Sequence, residues 1–323
     1  REFSKSLGVA TGDFNGDGWL DLYVANDGTP NQLWINQRDG SFVDEALLAG
    51  SAVNLKGAAE ASMGVDAADF DGDGDEDLFM THLAAETNTI FVNDGTGMFE
   101  DATIDTGLGV PSWSHTSWGT RWFDYDSDGW LDLFIANGAV RTIEALAQQG
   151  DPFPFHEPNQ LFQNLGTGKF EEVTAAAGEE FKRSEVTRGA AFGDVDNDGD
   201  PDILLLNNSG RARLLLNEFE GPEHWIGISL QSKAGGRHVL GSQVVVERPD
   251  GPALWRRART DGSFGSSSDP RLLIGLGEST AVSRIKVHWL GGGVEEWSAP
   301  PIDRYITLIE GAGSSVIDET PGS

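Results

Sequence analysis

The stretch Asp13-Phe14-Asn15-Gly16-Asp17-Gly18-Trp19-Leu20-Asp21 decides the fold of this chain, because its pattern occurs four times. The other copies span residues 69–77, 124–132 and 194–202. The first aspartates of successive copies are 56, 55 and 70 residues apart. A recurring pattern at this spacing indicates a repeat architecture, in which each copy is one structural unit.

Each acidic loop is followed by two short apolar runs between turn-forming residues. The first runs span 22–25, 78–80, 133–136 and 203–206, and the second span 33–36, 90–93, 161–164 and 214–217. In three copies a Gly-x-Phe then ends in Phe42, Phe99 or Phe170. Short runs that are apolar on both faces predict β-strands. The third copy also carries an insert between residues 138 and 159, where 142–148 predict one or two helical turns.

The loops place hard oxygen donors at positions 1, 3, 5 and 9, which favours calcium. Ca²⁺ takes about 6–8 oxygen ligands, and the backbone carbonyl at position 7 can add one. Magnesium prefers a tighter octahedron and keeps water ligands. A solvated acidic turn without an ion is the alternative, and the fourfold repetition argues against it. An EF-hand is excluded because position 12 is Val24, Met80, Ile135 or Leu205, inside a predicted strand.

The charge of the chain supports a structural role for the ion. The sequence has 22 basic and 52 acidic residues, a net charge of −30, which excludes a nucleic-acid binder or a protein of anionic membrane surfaces. The ligand positions alone hold 15 of the carboxylates. Crowded like charges favour opening of the loops, and a divalent cation reverses that effect.

Cysteine is absent, which excludes disulfides and thiol chemistry, and no apolar run is long enough to span a membrane.

These loops and strands resemble the FG-GAP/VCBS repeat family, whose members form β-propellers with a calcium loop in many blades. The resemblance covers residues 8–217 and implies about four Ca²⁺ ions. Matched by position, the implied side-chain ligands are Asp13, Asn15, Asp17, Asp21, Asp69, Asp71, Asp73, Asp77, Asp124, Asp126, Asp128, Asp132, Asp194, Asp196, Asp198 and Asp202. The implied position-7 carbonyl ligands are those of Trp19, Asp75, Trp130 and Asp200.

The chain changes character after Asn217, where alternating strand patterns replace the acidic repeats. Residues 224–230, 243–247, 254–258, 284–289 and 305–308 predict a small β-sandwich. The segment also resembles the ASPIC/UnbV domain through His224-Trp225, Gly235-Gly236-Arg237 and Val287-His288-Trp289. The whole chain is thus similar to the cartilage acidic protein family, which implies a transthyretin-like sandwich docked on a propeller. We expect all-β domains at 1–220 and 221–311 and a disordered tail at 312–323.

The blade count departs from the family pattern. Propellers close with about 4–8 blades, and seven are usual in this family, whereas four copies are visible here. Blades outside this sequence, another chain, or a small ring would each explain the difference, and the first two are favoured. An open arc of four blades would expose sheet faces and edges.

No catalytic motif stands out: no HxxxH pair, GxSxG elbow or phosphate loop is present. The segment from Trp113 to Trp122 is either a platform for sugars or blade packing, and packing is favoured. The sequence therefore predicts a non-catalytic adhesion, scaffold or binding module for protein or glycan. A polysaccharide lyase or hydrolase on a calcium-bearing propeller is the alternative. Weak calcium loops fill at millimolar calcium, which predicts a secreted, cell-surface or periplasmic location.

Overall fold

The computed structural model describes residues 4–316 and is built almost entirely of β-strands. The helices in that range are short: α1 (Gly109–Ser112), α2 (Glu144–Gln148) and one 3₁₀ turn (Glu179–Lys182). Helix α2 lies in the insert of the third copy, where the sequence predicts helical turns. None of the helices in the described part is long and apolar enough to cross a membrane.

The first two copies form four-stranded antiparallel sheets whose strands pair in chain order. Blade 1 contains β1 (Ser6–Gly12), β2 (Asp21–Asn26), β3 (Gln32–Asn36) and β4 (Phe42–Asp44). Blade 2 contains β5 (Val65–Ala68), β6 (Asp77–Met80), β7 (Thr89–Asn93) and β8 (Phe99–Asp101). Each acidic loop joins the first strand of its blade to the second.

The last two copies depart from this plan. Blade 3 contains β9 (Ser117–Phe123), β10 (Asp132–Asn137), β12 (Gln160–Asn164) and β13 (Phe170–Glu172). A short pair, β11 (Glu157–Pro158) with β14 (Ser184–Glu185), ties the insert to the segment before blade 4. Blade 4 has three strands: β15 (Thr187–Gly193), β16 (Asp202–Asn207) and β17 (Arg213–Leu215).

The blades stack through the two faces of each sheet, because successive side chains on a strand point to opposite faces. Leu78 belongs to the apolar cluster that includes Tyr23 of blade 1. Its neighbour Phe79 belongs to the cluster that includes Trp122 of blade 3. The inner strands β1, β5, β9 and β15 lie side by side in that order, so the blades form an arc.

The C-terminal domain is a sandwich of two sheets around its own apolar cluster. One sheet contains β18 (His224–Gln231), β21 (Leu272–Gly277) and β24 (Tyr305–Ile309). The other contains β19 (Gln243–Glu247), β20 (Leu254–Arg257), β22 (Arg284–His288), β23 (Val294–Ser298) and β25 (Ser314–Val316). The predicted fold class, all-β with propeller blades and a C-terminal sandwich, is confirmed.

The end of the chain differs in part from the expectation of a disordered tail over 312–323. Strand β25 pairs with β23, and Glu295 accepts hydrogen bonds from the backbone N–H groups of Gly311 (2.8 Å) and Gly313 (3.2 Å). These long-range bonds order the polar residues up to 316. The rest of the predicted tail lies outside the described residues.

Residues 257–269 of the C-terminal domain, here called the axial segment, run along the inner strands of all four blades. Asp261 accepts the N–H of Thr11 on β1 at 2.6 Å, and Arg259 forms an ion pair with Asp66 on β5. The Ser263 hydroxyl donates to the carbonyl of Ala190 on β15 at 2.9 Å and accepts the N–H of Thr120 on β9 at 3.2 Å. The C-terminal domain therefore fills the hollow of the arc and joins its blades.

Candidate metal centres

The acidic loops are positioned by the two inner strands of each blade. Position 1 directly follows the first strand of its blade. Position 9 is the first residue of the second strand: Asp21, Asp77, Asp132 and Asp202. Position 6 is glycine in every loop, with φ of +105° at Gly199. Position 4 also has positive φ, +57° at Ser127 and +63° at Asn197, a conformation that is unfavourable for most side chains.

The position-9 carboxylate acts as a clamp in all four loops. In blade 3, Asp132 accepts the backbone N–H of Tyr125 at 3.0 Å and that of Asn164 at 2.8 Å. The same pair of bonds recurs at Asp21, Asp77 and Asp202. This aspartate thus holds the start of the loop against the third strand, in addition to facing the other carboxylates.

The structure gathers the carboxylates of positions 1, 3 and 9 in blades 2, 3 and 4. Within each group the oxygen atoms lie within 4.8 Å of one another. The groups are Asp69, Asp71 and Asp77; Asp124, Asp126 and Asp132; and Asp194, Asp196 and Asp202. In blade 1, Asn15 replaces the aspartate at position 3, so that loop offers one carboxylate fewer.

The position-5 aspartates are not members of these groups in the part of the chain that the structure describes. Their carboxylates instead accept the backbone N–H two residues later, as in Asp128 with Trp130 at 2.7 Å and Asp17 with Trp19 at 2.9 Å. Their role as ligands, like that of the position-7 carbonyls, stays a prediction from the sequence.

The charges of the gathered aspartates favour the binding of a cation. Burial raises the pKa of Asp124 to about 8 and that of Asp69 to about 6. Burial also raises the pKa of Asp77 and Asp132 well above the usual range, and neighbouring aspartates add to the effect. Each pKa rise reports a carboxylate whose charged form lacks sufficient compensation.

Several buried carboxylate oxygens have no hydrogen-bond donor. These atoms are Oδ1 of Asp71, Asp75, Asp124 and Asp126. An unpaired buried acceptor is costly, and native proteins satisfy almost all of them. Three of these four oxygen atoms belong to the gathered groups, and all the atoms available as metal ligands there are hard carboxylate oxygens. These sites therefore fit Ca²⁺.

The C-terminal domain covers the loops, which the sequence alone did not indicate. The Tyr305 hydroxyl donates to Asp194 Oδ2 at 2.9 Å, and Arg271 donates to the carbonyl of Asp194 at 2.7 Å. Arg256 donates to the carbonyl of Gly129 at 2.8 Å, and its charge acts on both Asp69 and Asp124. The run Trp255-Arg256-Arg257 in so acidic a chain was the available sequence signal for this contact.

An asparagine at the end of the third strand links neighbouring blades. Asn93 Nδ2 donates to the carbonyl of Phe14 in blade 1 at 2.9 Å and to its own Glu76 carbonyl at 3.2 Å. Asn164, the last residue of β12, and Asn217, two residues after β17, bond in the same way to the preceding blades. The recurrence of Asn at this position was visible in the sequence, but the bond to the preceding blade requires the stacked arrangement.

The Trp113–Trp122 region is largely packing. Trp122 is 3% exposed and stacks on Phe70 at 5.4 Å. Trp118 lies under the guanidinium of Arg188, which is 4.1 Å from the ring centroid. Trp113, at the C-cap of α1, is by contrast 52% exposed.

A buried serine–histidine pair in blade 2 has the contacts of a nucleophile and a base. His82 Nε2 lies 3.0 Å from the Ser62 hydroxyl, and Nδ1 lies 2.8 Å from the carbonyl of Thr87. The equivalent pairs in the other blades are Ser6–Asn26, Ser117–Asn137 and Thr187–Asn207, all hydroxyl-to-amide hydrogen bonds. His82 therefore takes the place of a structural asparagine, and we interpret the pair as part of the blade.

The comparisons with known proteins agree with this architecture. The profile of the FG-GAP-like repeat family matches residues 13–80, 69–135 and 146–205, which is more than half of the chain. The chain belongs to the FG-GAP-like repeat family. Residues 232–315 match the ASPIC and UnbV family, so the sandwich of this FG-GAP protein is an ASPIC/UnbV domain. The resemblance noted from the sequence is thereby confirmed.

The FG-GAP protein is also similar to human cartilage acidic protein 1. The two are 25% identical over 307 residues, which is 90% of this chain and 42% of the human protein. The chain thus spans less than half the length of that relative. Among solved structures, a rhamnogalacturonan lyase of Bacillus licheniformis has a TM-score of 0.37 at 13% identity, covering 97% of this chain and 57% of the lyase. An Agrocybe aegerita lectin that recognises terminal N-acetylglucosamine has a TM-score of 0.34 at 20% identity, covering 65% and 52%.

Proposed function

We propose that this chain is a calcium-stabilised, non-catalytic binding module that works outside the cell. The observation that carries the proposal is the group of three aspartates that recurs in blades 2, 3 and 4, with buried carboxylate oxygens that lack hydrogen-bond donors in blades 2 and 3. Calcium at these groups would remove the repulsion between carboxylates and hold the loops in the shape that the C-terminal domain covers. Loops of this kind fill at the millimolar calcium of extracellular fluids.

The calcium role is tested by removing the ion. We expect binding of about four Ca²⁺ per chain in equilibrium dialysis, with blade 1 the weakest site because Asn15 replaces a carboxylate. Asp126→Asn, in the third loop, should lower the calcium count, whereas Asp39→Asn, on an exposed hairpin, should leave it unchanged. Absence of bound calcium in equilibrium dialysis, or a melting curve that exhaustive chelation leaves unchanged, would refute the role.

The binding role is tested with the calcium-loaded chain. Protein or glycan ligands would contact the loops of the blades opposite the C-terminal domain, where Trp113 is 52% exposed. A glycan array and a pull-down with extracellular proteins separate the two ligand classes, and Trp113→Ala tests that surface. Incubation with acidic polysaccharides serves as the enzyme control: steady release of an unsaturated, ultraviolet-absorbing product would show a lyase and overturn the non-catalytic role.

A further inference from the structure

Blade 4 lacks the fourth strand that completes each of the other blades. Blades 1, 2 and 3 end in β4, β8 and β13, whereas β17 forms the outer edge of its sheet in the described structure. After β17 the chain continues through residues 216–223 without regular structure and enters β18. The other blades show which interactions a fourth strand makes at this position.

A single third-strand residue in each complete blade binds the outer segment through both of its backbone groups. These residues are Leu33, Ile90 and Leu161. Their N–H groups donate, in that order, to the side chains of Asp44 at 3.2 Å, Thr103 at 3.1 Å and Thr174 at 3.0 Å. Their carbonyls accept the N–H groups of Glu45, Ala102 and Val173 at 2.8–3.0 Å. The equivalent residue in blade 4 is Leu214. No residue outside β16 and β17, within the described range, bonds to the Leu214 backbone.

The fourth strand also supplies an aromatic side chain to the contact with the preceding blade. Phe99 and Phe170 pair in register with the third-strand asparagines of their blades. Phe99 lies 6.0 Å from Phe14 of blade 1, and Phe170 lies 5.6 Å from Phe70 of blade 2. Since each contact bridges two blades, the aromatic ring is part of the blade interface.

The equivalent place in blade 4 is only partly filled. Tyr125 of blade 3 corresponds to Phe14 and Phe70, and it is contacted by Phe219, at 6.3 Å, from the irregular segment. Phe219 is 38% exposed. Beside it lies an open cavity of about 510 Å³, lined by apolar side chains that include Phe123, Leu161 and Leu215. This volume lies within the range of about 300–1,000 Å³ typical of ligand sites.

The other blades also show where a fourth strand carries an acidic residue. In blades 1 and 3 the first residue of the third strand, Gln32 or Gln160, donates to the acidic side chain that ends the fourth strand, at 3.2 and 3.4 Å. Arg213 occupies this place in blade 4. A guanidinium there forms a stronger bond to a carboxylate than an amide does. At present Arg213 is held by Glu180, at 2.5 Å, and by Glu185, at 2.6 Å.

We propose that the outer edge of blade 4 is a docking site for an extended strand of a partner protein. The strand pairs antiparallel with β17, places an aromatic residue opposite Asn217, and carries an acidic residue two positions later. Its backbone bonds to Leu214, and its aromatic ring displaces Phe219 from Tyr125. This form of recognition is strand addition to a sheet edge, with side-chain pockets giving specificity. The inference rests on the proposed binding function and adds a second surface to it, the outer edge of blade 4, with one class of partner.

The test uses a labelled peptide with the sequence of residues 167–175, which contains the fourth strand of blade 3. Fluorescence anisotropy measures its affinity for the full chain in calcium. Replacing the phenylalanine of the peptide with serine should weaken binding at least tenfold, because the serine peptide loses the burial of the aromatic ring. On the chain, Leu214→Pro removes the outward N–H and should abolish binding, whereas Leu214→Ala retains it within about threefold.

Phe219→Ala provides a second variant, whose effect on the affinity for the peptide should have the opposite sign. Removing the ring that occupies the site should tighten peptide binding at least threefold, a result that a purely structural role of Phe219 would not give. Equal affinity of the phenylalanine and serine peptides, or equal affinity of Leu214→Pro and Leu214→Ala, would overturn the proposal. A dimer in gel filtration that Leu214→Pro separates into monomers, and that the peptide does not separate, would also overturn it. Stabilisation by calcium without peptide binding would leave the proposed function intact and refute only this inference.

Discussion

The buried ion pair between Glu76 and Arg257 offers the sharpest test of the way the C-terminal domain docks. Glu76 lies at position 8 of the second acidic loop, and Arg257 is the last residue of β20. Arg257 Nε lies 2.9 Å from both carboxylate oxygens, and the two side chains are 2% and 1% exposed. Glu76→Ala would leave the guanidinium of Arg257 buried in the interface without its paired carboxylate, and Asp261 would be a remaining acidic group whose charge acts on it.

The magnitude follows from the burial of this pair. Removing one partner of a buried ion pair costs about 3–5 kcal/mol, because the remaining charge stays desolvated. In a domain of this size, each kcal/mol lowers the melting temperature by about 2–4 °C. We therefore expect a decrease of roughly 6–20 °C for the calcium-loaded protein. Arg257→Ala should cost a similar amount, and the double variant should cost less than the sum of the two.

The assay is thermal unfolding at fixed calcium, followed by circular dichroism and repeated with limited proteolysis between the two domains. Glu179→Ala is the matched control, since its ion pair with Lys182 is exposed and exposed pairs contribute little. Melting temperatures of Glu76→Ala and Glu179→Ala that are equal to each other, together with additive effects in the double variant, would refute the docking geometry.

Three further predictions concern the loops and the blade interior. Chelation of calcium should lower the melting temperature and expose the link between blades and C-terminal domain to protease, and calcium but not magnesium should restore both. Burial lowers the pKa of His82 from 6.5 to about 4. Between pH 6.5 and pH 4 the unfolded chain therefore binds a proton that the folded chain does not, so the free energy of unfolding falls as the pH falls. His82→Asn, which matches the amide found at this place in the other blades, should remove up to about 3 kcal/mol of that decline in urea titrations; equal pH profiles would contradict it. Gly199→Ala would place a methyl group 2.1 Å from the Trp225 ring, and should destabilise the protein far more than Gly40→Ala, where φ is also positive but the space is open.

Much of the fold was predictable because the signals are local. A loop of alternating carboxylates with glycine at position 6 can be read within nine residues, and the runs after it reveal strands by length and pattern. The fourfold repetition then identifies the blades without any knowledge of their packing. The same holds for the sandwich, whose strands alternate between buried and partly exposed residues, as in β19 and β22.

The candidate sites were predictable only in part. Position 9 was expected to be a ligand, and the structure shows that Asp132 also clamps the third strand through Asn164. Ser62 and His82 are separated by 20 residues, and their pairing became interpretable only beside the equivalent Ser–Asn pairs. In both cases the missing information was a contact between segments that are distant in the sequence.

The sequence by itself determined the unit of this protein: an acidic loop, the strands that follow it, and its repetition along the chain. Only the tertiary structure decided how the units are completed. Arg257 reaches Glu76 across 181 residues, and Arg259 reaches Asp66 across 193, to join the C-terminal domain to the blades. The absence of a fourth strand beside Leu214 likewise became evident only when the described sheets were compared. Local patterns report the preferences of a few neighbouring residues, whereas burial and charge pairing depend on which distant segments meet.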